Sequence, residues 1–302
     1  MSNTTVRTAT WENIGTDIVG ATSVNEVLAN AKLDYEVHKE KIKLESGIEI
    51  PNVVATVKDD GTPIGVVSNR YEICQNADAF DFVNYIDEDI EFIKAGETLT
   101  GMIYIIGVLP QINILGDAFT PHLIFQNGHN GRYALKTAII PLRIACQNQF
   151  NYAFGESKNT INIKHNGLLQ AKLYSAREVM RDTREYLDDL NKKAELYAGI
   201  KLTPVMANAV LNNLFPLKDD MSERQKNAVI SQRERFLKAY NSEDNQNFKG
   251  CAFGMFNAYS DYLTHKEVKK VTKNAIENRF MAVTFNPDFA KFINIVNSTV
   301  GV

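Results

Sequence analysis

Cysteine, long apolar runs and the marks of secretion are scarce in this chain of 302 residues. Its three cysteines, Cys74, Cys146 and Cys251, lie far apart, and none forms the Cys-x-x-Cys pair of a metal site. No apolar run approaches the roughly twenty residues of a membrane-spanning helix, and the first residues lack the apolar segment of a signal peptide. We therefore expect a protein of a reducing cytoplasm, with no membrane among its partners.

An excess of charge and the motifs of catalysis are lacking as well. The chain has 33 Lys+Arg and 36 Asp+Glu, a formal charge of -3, so no overall field attracts nucleic acid. It contains no Gly-x-Ser-x-Gly elbow, no phosphate-binding Gly-x-x-x-x-Gly-Lys loop and no His-Glu-x-x-His helix. We therefore expect no enzymatic activity, no cofactor and no metal.

Five scattered histidines leave one route to a metal site open. His122, His129 and His165 would have to converge in the folded chain, because no two histidines have helical spacing. We favour the interpretation that they are surface or hydrogen-bonding side chains. Cys146 is similarly interpreted as a small buried apolar residue rather than a nucleophile. A metal-dependent nucleic-acid-processing enzyme is thus the third-ranked hypothesis.

The order of apolar patterns predicts an α+β fold. Short β-branched runs separated by turn residues fill 35–140, with a hairpin turn at Asp59-Asp60-Gly61 and a helix over 76–86. Connections this short exclude the crossover helices of a doubly wound sheet. The polar segment 241–247 is predicted to be a loop. Helical patterns cover 168–197, 204–214, 222–241 and 250–266.

The sequence therefore predicts an antiparallel β-sheet with a packed helix, a hairpin-helix core, followed by an α-helical C-terminal half. Three parts are expected: an N-terminal arm with a short helix over 1–30, a β-rich core domain over 31–166 and an α-helical region over 167–302. The spacing of Ser23 and Glu26 predicts a capping box at the start of the short helix.

Basic residues concentrate in one window of this acidic chain, 132–165. The window contains Arg132, Lys136, Arg143, Lys158 and Lys164 against a single acid, Glu156. In an extended strand, Arg132 and Lys136 would lie on one face. Such a patch binds phosphates, with amides positioning the DNA strand and tyrosines stacking on bases. The alternative is that Arg143 and the amides after it satisfy buried backbone groups at a corner of the sheet. The candidate DNA-binding residues are Arg70, Tyr71, Arg132, Tyr133, Lys136, Arg143, Gln147, Asn148, Lys158, Lys164 and His165.

Short motifs spread over most of the chain carry a family resemblance. They are Trp11-Glu-Asn-Ile-Gly15, Ala31-Lys-Leu-Asp-Tyr35, Ile64-Gly-Val-Val-Ser-Asn-Arg-Tyr71 with Gln75-Asn76, Gly116-Asp117, Asn127-Gly-His-Asn-Gly131, Arg143-Ile-Ala-Cys-Gln-Asn148 and Ala252-Phe-Gly-Met-Phe-Asn-Ala-Tyr-Ser-Asp-Tyr-Leu-Thr-His265. On these motifs the chain resembles the phage/plasmid-like family catalogued as a domain of unknown function. That family is distantly similar to the single-strand annealing proteins of phage recombination, the group of Redβ, Erf and the Rad-fifty-two-like proteins.

The resemblance implies a function that the composition does not. It implies an ATP-independent protein of a bacterial host's cytoplasm that holds single-stranded DNA in a basic groove and assembles into a homo-oligomeric ring or filament. A phage exonuclease or a host single-strand binding protein would be a further partner. The main alternative is a phage or plasmid interaction protein that engages a host or defence factor through its helical half, without binding nucleic acid.

Overall fold

A computed structural model describes residues 14–81, 89–143, 160–165, 183–264 and 288–302. It confirms the predicted α+β fold, with antiparallel sheets followed by packed helices. The strands are β1 (Thr16–Asp17), β2 (Val37–Lys43), β3 (Glu49–Lys58), β4 (Pro63–Ser68), β5 (Glu91–Glu97), β6 (Met102–Val108), β7 (Ile112–Ile114), β8 (Asp117–Gly128), β9 (Leu135–Arg143) and β10 (Thr160–Ile163). The helices are α1 (Val24–Asn30), α2 (Asn76–Phe80), α3 (Thr183–Gly199), α4 (Pro204–Leu214), α5 (Glu223–Tyr240), α6 (Ala252–Thr264) and α7 (Asp288–Val300). Within these described ranges, no helix is long and apolar enough to cross a bilayer.

The larger sheet is built mainly from strands that follow one another along the chain. Its order is β1-β5-β6-β8-β9-β10, and β7 pairs with β8. Ile103 and Ile105 pack into the cluster on one face, whereas Tyr104 and Ile106 pack into the cluster on the other. All four side chains are fully buried. A strand buried on both faces explains the near-continuous apolar run of β6, in place of strict alternation.

The smaller sheet has the order β2-β3-β4 and confirms the predicted hairpin. In its turn, the Thr62 backbone N–H donates to Asp60 Oδ1 at 2.8 Å. Gly61 has a φ of 86°, a conformation that favours glycine. Val54 of β3 lies opposite Val67 of β4. The local turn chemistry and the β-branched strands thus specify this hairpin together.

Helices α1 and α2 lie on one face of the larger sheet. Val27 and Leu28 of α1 share a buried cluster with Phe80 of α2. Ser23 caps α1, because its hydroxyl accepts from the Glu26 backbone N–H at 3.3 Å. The Glu26 carboxylate accepts from the Thr22 backbone N–H at 2.8 Å, one residue earlier than in the expected capping box.

An aromatic cluster holds the helical half together. Phe236 of α5, Phe256 of α6 and Phe292 of α7 are fully buried, and the last two rings meet edge to face with centroids 5.6 Å apart. Such a pair stabilises the fold by about 1 kcal/mol in addition to the effect of burying its apolar surface. Ile114 and Phe119 of the larger sheet belong to the same cluster, so sheet and helices share a core.

The helix predictions meet the structure in different ways. Helix α4 has the predicted bounds, whereas α3 ends at Gly199, two residues beyond the end of the predicted helix 168–197, whose beginning lies outside the described residues. The predicted loop at 241–247 is wrong, because Glu243–Phe248 forms a 3₁₀ helix. Buried Asn245 fixes it by donating to the carbonyls of Tyr240 at 2.8 Å and Gly254 at 3.2 Å. Helix α7 was not predicted, and the domain boundaries stay a prediction.

Candidate functional site

A groove of about 580 Å³ opens where the two sheets meet. The turn between β3 and β4 forms one wall, and the turn between β5 and β6 and the loop after β8 form the rest. Its apolar side chains are those of Pro63, Ile64, Val66 and Leu99. Its polar lining includes Lys58, Glu97, Thr98, Thr100, Asn130 and Arg132. A ligand with both a charged and an apolar part therefore matches the groove.

Hydrogen bonds hold the turn between β5 and β6 in place. Asn130 Nδ2 donates to the Thr100 carbonyl at 2.7 Å, and the Tyr133 hydroxyl donates to Thr100 Oγ1, also at 2.7 Å. Gly101 has a φ of 79°, and a Cβ at this position would lie 2.8 Å from Asn130 Nδ2. Glycine is therefore favoured at this position by its positive φ and by the close approach of the Asn130 side chain.

Two residues of the groove lining, Lys58 and Glu97, form a three-residue contact with Tyr35. Glu97 Oε2 accepts from the Tyr35 hydroxyl at 3.1 Å and from Lys58 Nζ at 3.2 Å. Lys58 Nζ also lies 3.7 Å from the centre of the Tyr35 ring. Burial, with the Glu97 charge, raises the pKa of Tyr35, so its hydroxyl stays a donor. The negative charge of Glu97 is therefore compensated inside the groove.

Asn76 is the centre of a buried polar network. Its Oδ1 accepts from Asn127 Nδ2 and from His129 Nε2, each at 3.1 Å, and its Nδ2 donates to the Leu33 carbonyl at 2.8 Å. His129 is 1% exposed, and its Nδ1 has no hydrogen-bond partner among the described residues. Burial lowers the pKa of His129 to about 3, helped by the nearby His165 and Lys58. The ring is therefore neutral and carries its proton on Nε2.

Tyr71 connects this network to the end of β10. Its ring stacks on the His165 ring, with centroids 5.1 Å apart, and its hydroxyl donates to the Gly128 carbonyl at 2.9 Å. Both Tyr71 and His165 are buried. His165 Nδ1 donates to the Glu72 carbonyl at 3.2 Å, and burial lowers the pKa of this histidine. In this structure the two predicted site residues pack beneath the surface, where a base would not reach them.

Hydrogen bonds join the chain segments that carry three of the predicted cations, Arg70, Arg132 and Lys164. Ile163 of β10 pairs with Leu135 of β9, so Lys164 leaves the sheet beside the start of β9. The Glu72 backbone N–H donates to the His165 carbonyl at 3.0 Å, which ties the segment that follows Arg70 to the segment that contains Lys164. Because Tyr71 also holds Gly128, the loop that carries Arg132 joins them. Arg70, Arg132 and Lys164 are all exposed.

The expected shared strand face of Arg132 and Lys136 is wrong. Strand β9 begins at Leu135, and Arg132 lies in the loop before it, where its backbone N–H donates to Asn130 Oδ1 at 3.0 Å. Strand alternation therefore does not set the direction of Arg132. Lys136 is half-buried within β9, opposite Gln126 and Asn162.

The remaining predicted residues lie farther away or outside the described residues. Arg143 ends β9 and pairs with Phe119, seven residues and about 23 Å along the strand from Lys136. Tyr133, in contrast, is half-buried and anchored on the groove wall through Thr100. Gln147, Asn148 and Lys158, with Cys146, fall outside the described residues.

The three histidines considered as metal ligands do not converge. His122 and His129 are seven residues apart along the extended backbone of β8, or about 23 Å. Burial lowers the pKa of His122 to about 4. In the part of the chain that the structure describes, no group of three or more His, Cys, Asp or Glu side chains is arranged to hold a metal ion.

Sequence reasoning missed Lys58 and Glu97. Each directly precedes a turn, at Asp59-Asp60-Gly61 and at Thr98-Leu99-Thr100-Gly101, and a charged residue before a turn is a common surface pattern. Their ion pair joins residues 39 positions apart, for which no spacing rule exists. Asn130 had a visible signal, because it belongs to the glycine-rich motif at 127–131.

A family model supplies the comparison with known proteins. The model described as Domain of unknown function (DUF932) matches residues 63–283, which include Glu97, Asn130 and Arg132 of the groove and both Arg70 and Lys164. The chain belongs to this family. The DUF932 match confirms the expected membership of a family catalogued as a domain of unknown function. No curated protein and no solved structure matches the chain significantly.

Proposed function

We propose that this DUF932 protein binds single-stranded DNA and anneals complementary strands without ATP. The observation that carries the proposal is that hydrogen bonds join the segments carrying three exposed cations, Arg70, Arg132 and Lys164, and that Arg132 lines the groove. Neutralising phosphates with such cations is a major term in nucleic-acid affinity. A local patch is compatible with a formal charge of -3, since salt screens the more distant charges of the chain.

The groove adds a surface for bases. Because Lys58 and the Tyr35 hydroxyl compensate Glu97, that carboxylate repels phosphate less than an unpaired one would. Val66 and Leu99 expose apolar surface in the same groove. Base faces are apolar and sequence-independent partners for such side chains and for the Tyr133 ring. Charged and apolar contacts thus lie side by side, as a nucleotide requires.

A salt titration of DNA binding tests this proposal. The anisotropy of a labelled single-stranded oligonucleotide is measured with the wild type and with the variant Arg70→Ala/Arg132→Ala/Lys164→Ala. Losing three phosphate contacts should lower the slope of log affinity against log salt by about 2. Annealing of complementary oligonucleotides without ATP should slow in parallel.

The matched control removes the same number of charges from the helical half. Arg224, Lys238 and Lys249 are exposed cations there, and their triple alanine variant has the same formal charge as the patch variant. It should bind DNA with the wild-type slope. A wild type that neither binds the oligonucleotide at low salt nor speeds annealing would refute the proposal. That result would favour the interaction-protein alternative.

Self-assembly into a ring or filament is part of the same proposal. Leu44, Ile48 and Ile50, around the turn between β2 and β3, expose 52%, 64% and 37% of their surface. A second copy that covered them would remove apolar area from water. Light scattering after gel filtration, with and without an oligonucleotide, should give a multimer for the wild type and a smaller particle for Leu44→Ser/Ile48→Ser. A monomeric wild type with DNA bound would contradict this part.

A further inference from the structure

Leu99 is exposed to solvent at the tip of the turn between β5 and β6. Its exposed fraction is 87%, the largest among the big apolar side chains of the described part of the chain. A single exposed leucine on a protein surface is ordinary. Its place is what matters here, because Leu99 lines the groove that also contains Arg132.

Hydrogen bonds within the turn that carries Leu99, and from the neighbouring loop, hold this turn in place. The Thr98 backbone N–H donates to the Met102 carbonyl, and the Gly101 backbone N–H donates to the Thr98 carbonyl, each at 2.9 Å. The Met102 backbone N–H donates to Thr98 Oγ1 at 3.1 Å, and Asn130 and Tyr133 hold Thr100 from the neighbouring loop. A turn tied in this way fixes the backbone position of Leu99.

The opposite wall of the groove presents a second apolar side chain. Val66 of β4 is 62% exposed, and both Val66 and Leu99 line the same cavity. Arg132 supplies positive charge within that cavity, where Lys58 is already paired with Glu97. A polyanion with flat apolar rings satisfies both features, whereas an apolar protein segment would offer no anionic partner to Arg132.

We propose that Leu99 inserts between neighbouring bases of the bound strand and separates them. This inference rests on the proposed function, since it needs DNA in the groove. Aliphatic side chains that enter between base steps unstack them, and the separated bases gain contacts with the protein in exchange. Bases separated in this way are available for pairing with a complementary strand, which links Leu99 to annealing rather than to binding alone.

An oligonucleotide with 2-aminopurine between adenines tests the insertion directly, because stacking quenches the fluorescence of this base. With saturating wild-type protein the fluorescence should rise. With saturating Leu99→Ala the rise should be lost although anisotropy still reports binding. Leu99→Met, which keeps a long apolar side chain, should restore the rise.

A matched control and a second measurement separate the possible failures. Val205 is 79% exposed in α4, away from the groove, and Val205→Ala should behave as the wild type. If neither the wild type nor any variant changes the anisotropy, DNA binding is refuted, and both the proposed function and the insertion are refuted with it. If the wild type binds without a fluorescence rise, or if Leu99→Ala gives the same rise as the wild type, the insertion alone is overturned.

Discussion

Lowering the pH from 8 to 5 should weaken the fold through His129. This ring is 1% exposed, donates from Nε2 to Asn76 and has a pKa lowered to about 3 from its ordinary 6.5. At pH 5 the unfolded chain therefore protonates His129 while the folded chain does not. Because protons bind the unfolded state more strongly, stability is complete above pH 6.5 and falls as the pH drops towards 3.

The size of the loss follows from the gap between pH 5 and the ordinary pKa. One pKa unit corresponds to about 1.4 kcal/mol, so 1.5 units give about 2 kcal/mol for His129 alone at pH 5. His165 and His122 are buried histidines whose pKa values are lowered too, so they add to the loss in the same direction. The figure for His129 does not depend on its folded pKa, provided that this pKa lies well below 5.

Urea unfolding at pH 8 and pH 5 measures the effect when the wild type is compared with His129→Gln. Glutamine keeps a donor for Asn76 and does not titrate, so the loss between the two pH values should be about 2 kcal/mol smaller in the variant. Each protein is compared with itself at the two pH values, so any loss of stability that the substitution causes through altered packing cancels. The control is His38→Gln, which removes an exposed histidine of β2. Equal pH dependence in the wild type and His129→Gln would refute the reasoning.

Three further substitutions test other parts of the structure by urea unfolding. Asn76→Ala should cost about 3 kcal/mol, because it leaves buried partners in its network unsatisfied; a loss under about 1 kcal/mol would contradict the network. Gly65→Ala places a Cβ 2.8 Å from Asn130 Cβ, so it should lower the free energy of unfolding by about 1 to 3 kcal/mol and weaken oligonucleotide binding. A variant as stable as the wild type would show that the loop containing Asn130 moves aside without cost. Ser222→Ala removes the capping box of α5 and should cost about 1 kcal/mol while leaving oligonucleotide binding unchanged.

Helix-capping residues in the sequence predicted those helices whose ends are set by neighbouring residues. Helix α4 begins where Thr203 caps and Pro204 fits the first turn, and both residues are visible in the sequence. The segment 241–247 failed because its polar residues resemble a loop. Asn245 uses its amide to satisfy carbonyls at the end of α5 and within α6, and a contact with Gly254 has no local signature.

The candidate site was predicted in part. Arg70, Arg132 and Lys164 were named from local charge, but the segments that carry them are joined by the Glu72–His165 and Tyr71–Gly128 hydrogen bonds, which link distant parts of the chain. The strand face assigned to Arg132 failed because strand alternation was extended past the start of β9. Glu97 and Leu99 were missed because neither charge nor hydropathy distinguishes a groove wall from an ordinary turn.

In the larger sheet most paired strands are close together in the sequence, and this separation influences the order in which contacts form during folding. Strands β5, β6, β8 and β9 pair in an order that lets each join the growing edge through a short connection. The contact between Glu72 and His165 instead joins residues 93 positions apart, and pairing of the strands between them shortens the loop that this contact has to close. We expect that closure to follow the sheet, so that the cationic end of the molecule is assembled last and is the first to open when the protein unfolds.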